Sequence, residues 1–385
     1  MSKWKKVNLD SICEKKITTL STKEDFLIDY IDIASIDNKT KQVTSYQTLN
    51  AFEAPSRARQ ILQEDDILVS TVRPNLNAVA VNNIKSDNIV VGSTGYCVLR
   101  CKPGIDKGYI FHYCKSITFV NNLTRIARGA SYPAVSNSDV RNSLIPLPPY
   151  EIQKSISKTL DLVSDILMLR KQQLVELDEL IKSLFYKIFG NPIANEKGWK
   201  KSCLSNECGI ITGNTPPRKN KENYGDFIEW IKSDNITSQS IYLSQAIEYL
   251  SKEGSKVGRF VDSPSILMTC IAGSIKSIGN VAIANRKVAF NQQINAIIPN
   301  NHNIYFLYSL FQVTQKYIQS SISMNLKGII SKSKLSSLEF IFPPREVQNQ
   351  FASYFLSIQE QRNLVVQAIN DTQHLMDSLM SEYFE

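Results

Sequence analysis

The chain repeats itself at one long interval. Trp4-Lys5-Lys6 returns as Trp199-Lys200-Lys201, and Pro148-Pro149-Tyr150-Glu151-Ile152-Gln153 as Pro343-Pro344-Arg345-Glu346-Val347-Gln348, both displaced by 195 residues. Ser136-Asn137-Ser138-Asp139-Val140 against Ser331-Lys332-Ser333-Lys334-Leu335, Ser183-Leu184 against Ser378-Leu379, and Cys13 against Cys208 keep the same displacement. Solenoid units recur at roughly 20–50 residues, so the repeated object is a whole module. Two similar modules in one chain point to a ligand with two similar parts.

Each module ends in a long helical pattern. Pro148-Pro149 leads into a helix rather than sitting inside one. The heptad positions that follow are Leu160, Val163, Leu167, Arg170, Leu174, Leu177, Ile181, Leu184 and Ile188, a coiled-coil seam. Gly190-Asn191-Pro192 stops it. The second seam is less regular: Phe355, Ile358, Arg362, Val365, Ile369, Thr372, Met376, Leu379 and Tyr383. Neither stripe is stable alone in water, so each helix is expected to bury the other. The short 190–198 linker starts the second module at the far end of the first helix, which requires antiparallel pairing about a pseudo-two-fold axis. Phe384 should then lie near Trp4, closing a ring-like arrangement. Arg170 and Arg362 fall mid-coil, where Asp165 and Glu360 could neutralise them or a partner could face them.

The segments between the helices mix short strands with a few helices. Ile67-Leu68-Val69-Ser70-Thr71-Val72 matches Ile266-Leu267-Met268-Thr269-Cys270-Ile271 as a buried strand. Val79-Ala80-Val81 matches Val281-Ala282-Ile283, and Val98 matches Ile297. Ile110-Phe111-His112-Tyr113 and Tyr305-Phe306-Leu307-Tyr308 open apolar helices. The displacement drifts between 195 and 202 here, so the frames match while loop lengths do not. Loops of differing length on a shared frame are where recognition diverges. The division expected is a module over 1–149, a helix over 150–190, a module over 191–344 and a helix over 345–385.

Charge follows that division. Residues 1–149 hold 19 Lys and Arg against 14 Asp and Glu, and residues 197–344 hold 17 against 9. Residues 150–189 are balanced at 6 and 6, and residues 345–385 carry 2 against 6. A polyanion is drawn to the modules and not to the helices, although a generic basic surface would look the same. No apolar run follows Met1-Ser2-Lys3-Trp4, so a signal peptide is not expected. No stretch approaches the roughly 18 apolar residues of a membrane span. Seven scattered cysteines in a chain of this size fit reduced thiols in a cytoplasm.

Catalytic patterns are missing. Pro148-Pro149-Tyr150 resembles the Pro-Pro-Tyr of an adenine N6-methyltransferase site, but Leu147 stands where that chemistry needs Asn or Asp. No Gly-rich turn follows a strand in a way that would hold a dinucleotide or S-adenosylmethionine. Gly273 to Gly279 lacks the Lys-Ser/Thr of a P-loop. His112, His302 and His374 are not at metal-ligand spacing, and His112 reads as structural. No metal, cofactor or catalytic residue is expected in this chain.

Together these features resemble the specificity subunit of type I restriction–modification systems. Ile210-Ile211-Thr212-Gly213-Asn214-Thr215-Pro216-Pro217-Arg218-Lys219 is similar to the opening of a common target recognition domain. Trp230-Ile231-Lys232-Ser233-Asp234, Asn291-Gln292-Gln293-Ile294-Asn295-Ala296-Ile297 and Ser70-Thr71-Val72-Arg73-Pro74-Asn75-Leu76 are similar to further family segments. The resemblance covers nearly the whole chain; the poorer seam of the second helix is its one departure. It implies an α+β fold: two mixed α/β target recognition domains and two antiparallel coiled-coil helices. It implies that each domain reads one half of a split DNA site in double-stranded DNA. The helices would act as ruler and as docking surface for two methyltransferase subunits, with nuclease–translocase restriction subunits joining them. S-adenosylmethionine, ATP and Mg would reside on those partners. A helix of about 38 residues is roughly 57 Å long, enough to set two reading faces somewhat more than one duplex turn apart, about 34–36 Å. A standalone bipartite DNA binder is the alternative.

Arg bridges guanine O6 and N7, while Asn and Gln bridge adenine N6 and N7. Polar loop-like stretches beside apolar strands make Arg57, Arg59, Arg73, Asn75 and Asn77 the candidates in the first module. Arg218, Lys219, Lys276, Gln292 and Gln293 are those in the second.

Overall fold

The computed structural model describes residues 4–21, 25–237, 240–262, 264–324 and 328–385. Met1-Ser2-Lys3, part of the stretch read against a signal peptide, lie outside the described residues. The chain divides into two compact units, Met1–Lys171 with Gln367–Glu385, and Gln172–Val366. The division falls inside the two 40-residue helices, Tyr150–Phe189 and Arg345–Phe384. Each unit therefore holds the start of one long helix and the end of the other.

In the first unit, Lys6–Asn8 pairs antiparallel with Leu144–Pro146, Lys6 opposite Pro146, so the module's ends close on each other. A four-stranded sheet runs in the order Gln47–Asn50, Leu27–Ile31, Ile89–Ser93, Ala58–Ile61, with its two central strands parallel. A three-stranded antiparallel sheet has Ile67–Ser70 between Tyr96–Leu99 and Val79–Val81. All four residues of that central strand are buried, which explains its unbroken apolar run. The Asp106 carboxylate caps helix Lys107–Lys115 by accepting the Tyr109 N–H at 2.8 Å.

That helix and the three-stranded sheet share one core with Leu160, Val163 and Leu167 of the first long helix and Met376 and Phe384 of the second. Ile369, Leu379 and Tyr383 line its edge. The start of one helix thus packs on the end of the other, which is antiparallel pairing. Trp4 packs against the same core as Phe384, whose ring centre lies 5.1 Å from that of Tyr109 and 5.7 Å from that of Tyr113. A buried phenylalanine contributes roughly 1.5–3 kcal/mol, so Phe384 anchors this helix end.

The second unit repeats the plan. Lys201–Cys203 pairs with Glu339–Ile341, Lys201 opposite Ile341, each partner displaced by 195 from its counterpart in the first unit. One antiparallel sheet runs Cys208–Thr212, Ile294–Pro299, Ser265–Thr269, Val281–Ala284. The other runs Tyr224–Gly225, Tyr249–Leu250, Ile228–Ile231, Val288–Phe290, Phe260–Val261, with Ile228–Ile231 parallel to Val288–Phe290. Phe189 takes the place of Phe384, its ring centre 4.8 Å from Phe306 and 5.4 Å from Phe351. Gly190 leaves the helix at a φ of +74°. Lys197 Nζ then caps the Lys187 and Ile188 carbonyls at 2.7 and 2.8 Å, a cation on the negative end of the helix dipole.

Along the seam, Leu160, Val163, Leu167, Leu177, Ile181, Phe355, Ile358, Val365 and Met376 are buried, and Leu174, Leu184, Ile369 and Leu379 are half-buried. Phe185 and Phe189 are also buried; a strict heptad count drifts off the 3.6-residue period and misses them. Phe351, one heptad before Ile358, is buried too. Among the described residues Asp165 does not pair with Arg170, and Arg362 takes a carboxylate that the sequence did not single out. Arg170 donates to the Thr372 hydroxyl and the Ala368 carbonyl, and Arg362 Nε donates to Asp178 at 3.0 Å. Neutral acceptors on the facing helix suffice for Arg170. Asp178, on the helix facing Arg362, supplies it with a carboxylate.

Candidate nucleic-acid interface

In the first unit the chain bends sharply at Pro74–Leu76, a single turn bracketed by Arg73 at φ 50° and Asn77 at φ 48°. Left-handed backbone is uncommon outside glycine, and here the Arg73 N–H bond to the Pro133 carbonyl (2.7 Å) supports it. The exposed Arg73 guanidinium lies 4.5 Å from the ring centre of Tyr132, a cation–π contact that restrains the side chain. Asn75 is exposed on the turn. Arg57 and Arg59 flank and occupy edge strand Ala58–Ile61, Arg57 exposed and Arg59 half-buried. Asn77 turns inward: its amide donates to the Lys115 carbonyl (3.4 Å) and its own carbonyl accepts from Lys41.

In the second unit the loop Gly213–Arg218 is held along its length. Trp230 Nε1 donates to the Asn214 carbonyl (3.3 Å), the Tyr224 hydroxyl to that of Pro216 (2.7 Å), and Asn223 Nδ2 to that of Pro217 (3.1 Å). Gly213 passes so close to the chain that a Cβ there would meet the Asn291 carbonyl at 2.1 Å. Arg218 projects from this platform, its guanidinium 4.7 Å from the Tyr224 ring centre and 5.0 Å from that of Trp230. Glu248 pairs with Arg218 at 2.8 Å and with Lys232. Those bonds, that of Lys232 first, hold its carboxyl below the usual range. The Thr215 hydroxyl donates to Gln292, joining exposed Gln292 to the loop that carries exposed Lys219.

Two second-module candidates stand apart from this group. Gln293 is a turn brace: its side-chain carbonyl accepts from Asn291 (3.1 Å), and its backbone carbonyl accepts the Cys270 N–H (2.7 Å). Lys276 is exposed in a separate loop held by Gln315 and Gln319. Sequence reasoning did not single out Tyr132, Lys232 or Glu248. Their signal is proximity to Arg73 and Arg218, which spacing along the chain does not carry.

Comparison with known proteins decides what these surfaces belong to. The type I restriction modification DNA specificity domain matches twice, over residues 1–179 and 196–371. The chain belongs to this family. It is 23% identical to the HindI type I restriction enzyme specificity subunit of Haemophilus influenzae, covering 94% of each chain. It is 22% identical to the MjaIX specificity subunit of Methanocaldococcus jannaschii, covering 74% of this chain and 69% of that one. Its fold matches a chain from a study of assembly and conformational transition of the type I R-M system, with a TM-score of 0.68, 23% identity and coverage of 99% and 97%. A type I S subunit from M. genitalium matches with a TM-score of 0.56, 14% identity and coverage of 100% and 96%.

The chain is thus a type I DNA specificity subunit: it supplies sequence choice rather than catalysis, as part of a complex with other subunits. The standalone reading is not favoured. Among the described residues no His, Cys, Asp and Glu group is arranged to hold a metal ion, and no helix is long and apolar enough to cross a membrane. Beside the basic modules, a specificity subunit needs a surface for its complex. Leu162, Met168, Leu169 and Leu375 in the first unit, and Val175, Leu180 and Leu364 in the second, are exposed apolar residues of the long helices.

Proposed function

We propose that each module reads one half of a split, asymmetric DNA site, and that the long helices set the distance between the halves. The observation that carries this reading is a duplicated frame with unlike reading loops. The frame is the Lys6–Pro146 and Lys201–Ile341 pairings. The loops are the Arg73–Tyr132 contact in one module and the Arg218–Tyr224–Trp230–Glu248 cluster in the other. Exposed Arg57, Arg73, Asn75, Arg218, Lys219 and Gln292 are the base-reading candidates. Half or more of the hydrogen bonds in such interfaces go to phosphate and sugar, so several of these six would position rather than specify.

The exposed apolar stripe on the long helices would dock two methyltransferase subunits, with restriction subunits joining the assembly in the cytoplasm. S-adenosylmethionine, ATP and Mg would then be carried by those subunits. The test is modification mapping. The chain is co-expressed with its methyltransferase partner and methylated adenines are located in the host genome. A two-part motif with a fixed unread gap is expected; a continuous motif, or none that depends on this chain, would overturn the reading.

A further inference from the structure

We propose that the first unit contains a phosphate seat built from Lys41 and Lys115, which takes a phosphate group of a DNA strand or of a nucleotide. Both lysines line one cavity of about 1390 Å³, whose wall also includes Asn77, Phe111 and Met380. Neither forms an ion pair among the described residues. Lys41 Nζ donates to the Asn77 carbonyl. Lys115 Nζ lies 3.3 Å from His112 Nδ1 and 4.8 Å from the Phe111 ring centre.

Two desolvated cations facing one cavity with no described carboxylate in ion-pair contact is a costly arrangement. Burial, and then the charge of Lys115, lower the Lys41 ammonium to about 8 against the opposing pull of Asp37; burial also lowers that of Lys115, against the pull of Asp161. Four carboxylates line the same cavity: Asp161, Asp165, Asp377 and Glu385. Three are engaged elsewhere: Asp161 with His112 (2.8 Å), Asp377 with Gln373 (2.9 Å), and Glu385 with Thr118 (2.8 Å) and Ser381 (2.7 Å). Those bonds leave the carboxylates charged, and Lys39 and Lys171 share the wall; what sets Lys41 and Lys115 apart is that no described carboxylate is in ion-pair contact with either, so both are open to an incoming anion.

The backbone is bent to hold them there. Lys41 (φ 58°) and Asn77 (φ 48°) are both left-handed and are bonded to each other. Such conformations persist only where the surroundings over-determine them, and they cluster at ligand clamps. At the corresponding place in the second unit Gln312 follows the Asn303 cap by the same nine residues that separate Lys115 from Asp106. The seat therefore belongs to one module only. Where its phosphate comes from DNA, it adds a sequence-independent anchor to the half-site reading and rests on that reading.

The test is competitive acetylation of the full-length chain near pH 8, read at each lysine by peptide mass spectrometry. Probes are a 30-base-pair duplex, AMP and inorganic phosphate, with chloride at matched ionic strength as control. Lys41 should acetylate at least about 5-fold more slowly with one phosphate probe than with chloride, while exposed Lys158, which does not line the cavity, does not. Protection by duplex at lower phosphate concentration than by AMP identifies a strand phosphate; the reverse order identifies a nucleotide. No protection of Lys41 by any of the three overturns the seat. In the strand case, Lys41→Met with Lys115→Met should lower the slope of log affinity against log salt by about 0.9, the loss of one phosphate contact. An unchanged slope in a variant that still binds duplex overturns the strand assignment. A wild-type chain that binds no duplex sinks the half-site reading instead, and phosphate or AMP protection of Lys41 still decides the seat.

Discussion

Arg170 and Thr372, one polar interruption from each helical seam, are partners. The Arg170 guanidinium donates to the Thr372 hydroxyl, which itself donates to the Ala368 carbonyl at 2.7 Å. Removing one member leaves a half-buried charge short of an acceptor, at a cost of about 1–3 kcal/mol. Thr372→Leu should therefore lower the thermal midpoint. Arg170→Leu combined with Thr372→Leu should recover most of the loss, because an apolar pair replaces a polar one at little cost. Calorimetry on the wild type and the two variants checks this; a double variant no better than Thr372→Leu alone would refute it.

Gln153 and Gln348 occupy the same place in the two units. Each donates to a proline carbonyl at 2.8 Å, Pro148 or Pro343, and accepts the N–H of a helix-capping residue, Asp106 at 3.0 Å or Asn303 at 2.8 Å. Both are buried. Gln153→Leu strands the Asp106 N–H and the Pro148 carbonyl, and Gln348→Leu does the same in the other unit, each at about 1–3 kcal/mol. Hydrogen exchange should show each loss at its own site, around Lys107–Lys115 or Ile304–Val313. Uniform loosening of both units by either variant would contradict independent locks.

The helices and the repeat were legible because their signals are local. Pro148 and Gly190 bracket the first helix, and the seam residues recur at helical spacing. The strict displacement makes the Lys6–Pro146 and Lys201–Ile341 pairings equivalent, and with the short linker it set Phe384 near Trp4. What escaped were relationships with no sequence period. Arg170 finds Thr372 only once the helices are antiparallel. Asp106 and Asn303 show that the capped helices correspond at a displacement of 197 rather than 195. Asn77 and Gln293 have the composition of reading residues, yet their amides are used inside the fold. Arg73 and Arg218 were recognisable as exposed arginines, but the aromatic rings beneath them were not.

Burial is the main force on His112 and lowers its pKa, against the opposing hydrogen bond from Asp161. The unfolded chain takes up this proton near the ordinary value of about 6.5, and the folded chain only at lower pH. Between the two the unfolded state binds more protons, so stability is full above about 6.5 and falls as pH drops toward the folded value. Asp161 is itself held low, first by His112, and contributes only in more acidic solution. The urea midpoint of the wild type should fall more between pH 7.5 and 5.5 than that of His112→Gln. Parallel decline of both proteins would remove His112 from the account.

Arg218 separates reading from mere attraction. Its guanidinium lies over the rings of Tyr224 and Trp230 and is paired with Glu248, which restrains its planar fork of donors, as a bidentate contact to guanine requires. Lysine cannot reproduce that plane. Arg218→Ala and Arg218→Lys should therefore both weaken binding to the complete site by about 1–3 kcal/mol, with little change in thermal midpoint. The loss should vanish on a duplex whose second half-site is scrambled and persist when the first is scrambled. A phosphate contact would behave differently: lysine would largely rescue it, and the loss would be the same on every duplex. If Glu248 holds Arg218 away from DNA altogether, neither substitution weakens binding, and Glu248→Gln strengthens it on all sequences alike.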